Sequence, residues 1–147
     1  MIAVDTNILV YAHREDSPFH VEALAAMRSL ADGAHPWAIP WPCIHEFIAI
    51  VTHPAIYRPP SPAEVATDAA RIWVESPMCR CVGEGPGYFG RLREILAAGK
   101  IVGAHVHDAR IAAICLHHGV AELWSADRDF SRYRVLRTVN PLVGKRK

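Results

Sequence analysis

Apolar and polar positions fall in blocks along the chain: short apolar runs are followed by stretches of helical period, and the two kinds alternate to the end. The first run, Ile2-Ala3-Val4, suits a parallel strand covered on both faces. It breaks at Asp5, which falls at the strand's carboxyl end. Thr6 or Asn7 can cap a helix from Thr6 to about His13, with Ile8, Leu9 and Ala12 toward the sheet. Glu15-Asp16-Ser17-Pro18 reads as a turn into a second helix, with Ser17 as cap and Pro18 at the first helical position, where a missing N–H costs nothing. Val21, Leu24, Ala25 and Leu30 predict its buried stripe, and Asp32-Gly33 its end. Trp37 to Trp41 predicts a short strand, which Pro40 places at a sheet edge. Pro42 then starts a third helix with Ile44, Phe47, Ile48 and Val51 inward.

Four prolines between His53 and Pro62 predict a loop. A helix follows from Pro62 to about Glu75, carrying Val65, Ala66, Ala69, Ile72 and Trp73, and then a strand over Cys79–Val82. Gly83-Glu84-Gly85-Pro86-Gly87 has neither the lysine of a phosphate-binding loop nor dinucleotide-type glycine spacing, so it reads as a turn into a helix from Tyr88 to Ala98. A strongly apolar helix with Ile111, Ala112, Ile114, Cys115 and Leu116 opens near Asp108 and stops at Gly119. Leu123-Trp124 predicts a strand running into an acidic loop, and Arg134-Val135-Leu136 a last strand. Parallel neighbours need helical crossovers, so this alternation predicts an α/β fold: a three-layer α/β/α sandwich around a mainly parallel central sheet. Residues 1–147 read as one domain, without repeat or linker, ending in a basic tail from about residue 138.

The composition supports a globular chain: 147 residues, 51% hydrophobic and 21% charged, enough to bury a core without disulfides or a structural metal. Cys43, Cys79, Cys81 and Cys115 form no C-x-x-C pair and read as thiols of a reducing compartment. With no leader-like start and no apolar run near the roughly 18 residues of a membrane helix, the expectation is a cytoplasmic protein without a membrane partner. Net charge is only +1, but it is unevenly spread. Residues 128–147 carry a net +6 and the rest a net −5, a pattern that can guide a polyanion or simply solvate a terminus.

The acids carry the candidate chemistry. In this topology Asp5 and Asp127 end parallel strands, Glu46 follows a third strand, and Asp108 opens the helix leading toward Asp127, so the four can converge on one sheet edge. Converging carboxylates repel, and a fold tolerates them by protonation or by binding a cation. An all-oxygen set suits one or two Mg²⁺ or Mn²⁺ ions, whose chemistry is phosphodiester or phosphate-ester hydrolysis. Other roles compete: Asp5 can serve as a helix cap, and Glu46 as a surface acid favoured by the helix dipole. Against the latter, the apolar run Phe47 to Val51 predicts little open surface around Glu46. His105, His107 and Asp108 suggest zinc, but nine histidines produce near-clusters without purpose and none has H-E-x-x-H spacing, so magnesium ranks above zinc.

Val4-Asp5-Thr6-Asn7-Ile8-Leu9-Val10-Tyr11-Ala12, the helical Glu46-Phe47, His107-Asp108-Ala109-Arg110-Ile111-Ala112 and Ser125-Ala126-Asp127-Arg128-Asp129-Phe130 together resemble the PIN-domain ribonucleases, and more narrowly the VapC toxins. The resemblance implies a PIN-like sandwich and a Mg²⁺-dependent endoribonuclease. It also implies an RNA substrate such as tRNA, 5′-phosphate and 3′-hydroxyl products, a VapB-type antitoxin partner and a homodimer. Asp5, Glu46, Asp108 and Asp127 match the family's acidic positions. Asn7 and Ser125 match its polar helpers, which orient a ligand or a metal-bound water. Asp129 reads as an outer ligand, a partner of Arg128, or a surface acid. A haloacid-dehalogenase-like phosphatase is the rival enzyme, but Asn7 stands where that class has its second aspartate. A PIN-like module that binds without cleaving is the third reading.

Overall fold

The computed structural model describes residues 1–144; of the expected basic tail, Lys145, Arg146 and Lys147 lie outside the described residues. In chain order the elements are β1 (Ile2–Val4), α1 (Thr6–His13), α2 (His20–Ala31), β2 (Trp37–Pro40), α3 (Trp41–Val51) and α4 (Ala63–Val74). There follow β3 (Cys79–Val82), α5 (Tyr88–Gly99), α6 (His105–His117), β4 (Glu122–Trp124), a 3-10 turn (Arg128–Arg132) and β5 (Arg137–Val139). The sheet order is β3-β2-β1-β4-β5, and all four pairings are parallel. Chain order runs outward from β1 through β2 to β3, then returns to β4 on the other side of β1. With right-handed crossovers, that reversal puts α1 to α4 on one face and α5 and α6 on the other, giving the expected sandwich. The carboxyl ends of β1 and β4 flank the point of reversal, where doubly wound sheets gather their ligands.

The core is what a sheet covered on both faces requires: Ala3, Val4, Ile39 and Leu123 from the strands are fully buried with Ile8, Leu9, Phe47 and Ile114 from the helices. Gly119 ends α6 with φ +69°, a left-handed conformation that costs glycine little. Among the described residues, no helix is long and apolar enough to cross a membrane.

Several local expectations are corrected. β2 is not an edge strand: it lies between β1 and β3 and is buried throughout. Pro40 is tolerated because it is the last strand residue, beyond Ala38 where pairing with β1 stops. α2 begins at His20 rather than Pro18, because the turn persists: Phe19 N–H donates to Ser17 Oγ and His20 N–H to the Ser17 carbonyl. Its buried residues are Ala23, Met27 and Leu30, while Val21 is 74% exposed; the small Ala23 lets α2 settle closely on α1. α4 packs through Ala66 and Ala70, leaving Val65 and Ile72 outward for the same reason. The last strand starts at Arg137, not Arg134, since Leu136 N–H closes a turn onto the Tyr133 carbonyl and buries its side chain.

Candidate active site

β1 delivers Asp5 to the carboxyl edge of the sheet, and α1 starts immediately behind it. Asp5 itself is the cap of α1, rather than Thr6 or Asn7: its Oδ1 accepts from Thr6 N–H at 2.8 Å. Thr6 and Asn7 are used elsewhere. Thr6 Oγ1 donates to Glu46 Oε2 at 3.1 Å, tying α3 to α1. Asn7 Nδ2 lies 3.1 Å from both Asp5 Oδ2 and Ser125 Oγ, and its Oδ1 accepts from Ala126 N–H at 3.0 Å. Ser125 Oγ donates to Asp5 Oδ2 at 2.7 Å and accepts from Asp127 N–H at 3.0 Å. Capping and site-building are therefore one arrangement, and it spans residues about 120 apart in sequence.

Asn7 and Ser125 both bond to Asp5, one of the candidate metal ligands. Ser125 is buried, and its bonds end on Asp5 and on the backbone leading to Asp127, so it fixes two acids relative to each other. Asp127 in turn caps the 3-10 turn, accepting from Asp129 N–H at 2.8 Å. Asp129 is exposed and faces Arg132 at 3.8 Å, not Arg128.

All four predicted acids, Asp5, Glu46, Asp108 and Asp127, line one open cavity of about 690 Å³. Glu46 is exposed there, contrary to the closed surroundings its apolar neighbours suggested: α3 turns Phe47 and Val51 into the core and its other face toward the opening. The four are spaced too widely for any three to bring ligand atoms within 4.8 Å of one another. Among the described residues the only set that tight is His105, Asp108 and Asp129.

Burial pushes the Asp5 carboxyl up to about 6, with the Glu46 charge adding to the rise and the bonds from Ser125, Thr6 and Cys43 opposing it. Partial burial also raises Asp108, reinforced by the charges of Asp127, Asp129 and Glu46 and opposed by His105. The oxygen donors of these four acids fit a hard divalent ion. A stability consequence follows from Asp5. Between its unfolded value of 3.8 and about 6, the folded state holds a proton that the unfolded chain has released, so stability falls as pH rises. At 1.36 kcal/mol per pKa unit, the metal-free fold should lose up to about 3 kcal/mol from this group between about pH 4 and pH 7. Urea midpoints in EDTA check this when the parent is compared with Asp5→Asn at each pH; a difference between the two that stays constant across that window contradicts it.

Residue-type reasoning missed several members of the site. Thr6 looked like a helix-start residue, and Cys43, whose Sγ lies 3.7 Å from Asp5 Oδ1, like an ordinary buried thiol. Tyr57 comes from the proline-rich loop yet lines the cavity, with the Arg14 guanidinium 4.2 Å above its ring. Among the described residues, Arg110 is the only lysine or arginine lining it.

Known proteins share this architecture. The PIN domain family model matches residues 2–136. Ribonuclease VapC48 of Mycobacterium tuberculosis is 33% identical over 140 residues, covering 95% of this chain and 97% of that protein. Ribonuclease VapC43 of the same organism is 31% identical over 145 residues, covering 99% and 98%. Among solved structures, M. tuberculosis VapC20, titled a sarcin-ricin loop cleaving toxin, superposes with a TM-score of 0.66 at 19% identity, covering 90% of this chain and 95% of that one. VapBC2 of Rickettsia felis, bound to a promoter DNA fragment, gives 0.65 at 21% identity, covering 95% and 98%.

Proposed function

The chain belongs to the PIN-domain family, in its VapC group, and on that premise we propose that it is a Mg²⁺- or Mn²⁺-dependent endoribonuclease, the toxin of a VapBC-type pair. The observation that carries this reading is the meeting of Asp5, Glu46, Asp108 and Asp127 around one cavity at the carboxyl edge of a parallel sheet. These four side chains are the residues to hold the metal. A bound divalent ion supplies Lewis-acid stabilisation of charge developing on the phosphate oxygens.

The protein's own contribution is position. Asp5 is held by Thr6 N–H, Asn7 and Ser125, so it cannot swing away when the site is charged. Thr6 aims Glu46, and the Ser125 bond to Asp127 N–H holds the loop after β4. In the reaction, water oxygen bonds to phosphorus, the bond from phosphorus to O3′ breaks, and the water proton passes by way of a cavity carboxylate to the departing oxygen. The products are a 5′-phosphate and a 3′-hydroxyl.

A phosphatase of the haloacid-dehalogenase type fits less well, because the Asn7 amide is already engaged by Asp5, Ser125 and Ala126 and has no proton to give a leaving group. The partner under this reading is a VapB-type antitoxin, the substrate an RNA such as tRNA, and the assembly a homodimer. Growth arrest on expression, relieved by the product of the neighbouring gene and absent for Asp108→Asn, tests the toxin assignment. Arrest by Asp108→Asn equal to that of the parent chain contradicts it. Ser125→Ala should cut cleavage roughly 10- to 100-fold, the usual scale for a residue that orients a ligand, and raise the Mg²⁺ concentration needed for half-maximal rate. An unchanged metal requirement would show that Ser125 does not position Asp5.

A further inference from the structure

One lip of the cavity carries an aromatic surface that neither the fold nor the hydrolysis uses. Trp41 is the first residue of α3, directly after β2, and remains 41% exposed although indoles usually gain most from burial. Its ring stacks on His45 one turn later, centroids 6.4 Å apart and planes 29° from parallel, and His45 lines the cavity. The same lip reaches Arg110. A Cβ at Gly83 would lie 3.5 Å from Trp41 Cδ1, the Gly83 carbonyl meets His118 Nε2 at 2.7 Å, and the adjacent Glu84 is ion-paired with Arg110. The Gly83-Glu84 segment therefore links an exposed indole to the one guanidinium that, among the described residues, lines this acid-bearing cavity.

Building on the ribonuclease reading, we infer that this lip is a subsite for one unpaired nucleotide beside the scissile phosphate, with its base stacked on Trp41 and its phosphate on Arg110. Carboxylates repel a polyanion, so a phosphate approaching the cavity gains where Arg110 stands. A flat indole can stack only on a base face that no neighbouring pair covers, and such stacking is tolerant of sequence. Glu84 keeps the guanidinium in place before substrate arrives.

The test uses fluorescein-labelled oligoribonucleotides of randomised sequence, single-stranded or annealed to complements. Binding is read by anisotropy in Mg²⁺ on an Asp108→Asn background, which keeps the RNA intact. Trp41→Ala should weaken single-strand binding about tenfold, Trp41→Phe should regain most of it, and duplex binding should be weaker and indifferent to either change. Arg110→Ala should weaken binding and lower the salt slope by about one. In the active chain, Trp41→Ala should raise KM with kcat largely kept. Unchanged affinity in Trp41→Ala and Arg110→Ala overturns the subsite, as does a preference for duplex, or a loss confined to binding of the antitoxin. Failure of the ribonuclease reading looks different: the parent chain, Trp41 intact, then cleaves neither form of RNA, and the subsite falls with it.

Discussion

Asp5→Ala should lower RNA cleavage by two to three orders of magnitude or more, the scale of removing one preorganised group that stabilises the transition state. Its effect should exceed that of Asp108→Asn because Asp5 has three roles at once. It offers an oxygen to the metal, it caps α1, and it is the acceptor that Ser125 and Asn7 share. Removing a cap costs about 1 kcal/mol, and leaving buried donors without a partner costs about as much or more per group. Against this, the substitution abolishes a buried carboxylate whose charge opposes folding near neutral pH. The net change in stability at pH 7.5 without metal should thus be small beside the loss of activity. At pH 4.5, where Asp5 is protonated and causes no such penalty, the variant should be clearly the less stable chain. Cleavage kinetics paired with urea melts at the two pH values check both halves. Cleavage within tenfold of the parent would remove Asp5 from the site.

Removing divalent metal should abolish cleavage to background, with restoration by Mn²⁺ or Mg²⁺ and none by monovalent salt. The same ions should stabilise the fold, since they bind the folded site and not the dispersed carboxylates of the unfolded chain. At a hundredfold excess over Kd the gain is about 2.7 kcal/mol, or roughly 5 to 10 °C in Tm for a chain of this size. The sign with pH is determined by Asp5, which titrates at about 6 in the metal-free fold. At pH 5 an ion must displace its proton, whereas at pH 7.5 the carboxylate is already free, so the metal-induced rise in Tm should be larger at pH 7.5. Cleavage undiminished by EDTA, or a larger Tm rise at pH 5, contradicts the metal site.

Much of this architecture was legible because burial on both sheet faces writes continuous apolar runs into the sequence, and Ile2-Ala3-Val4 and Leu123-Trp124 are such runs. An acid that ends such a run is visible for the same reason, which is how Asp5 could be placed at the sheet edge. What periodicity does not encode is which neighbour a helix meets. α4 presses Ala66 and Ala70 against the layer beneath, and α2 uses Ala23, Met27 and Leu30, so Val21, Val65 and Ile72 point outward. Pro40 misled because a proline at the end of a ladder looks, in sequence, like a proline at the edge of a sheet. The bonds joining Ser125 to Asp5 and Thr6 to Glu46 cross 120 and 40 residues, and no local signal announces them. Those long-range bonds tie Asp5 to the loop carrying Asp127 through Ser125, and Glu46 to the start of α1 through Thr6.

The location of the metal is the most direct test. Anomalous diffraction from crystals grown with Mn²⁺ should show a peak in the cavity, with oxygens of Asp5 and at least two of Glu46, Asp108 and Asp127 in direct or water-bridged contact. A peak held instead by His105, Asp108 and Asp129, with Asp5 remote from it, or no peak near Asp5 at saturating Mn²⁺, would contradict the account.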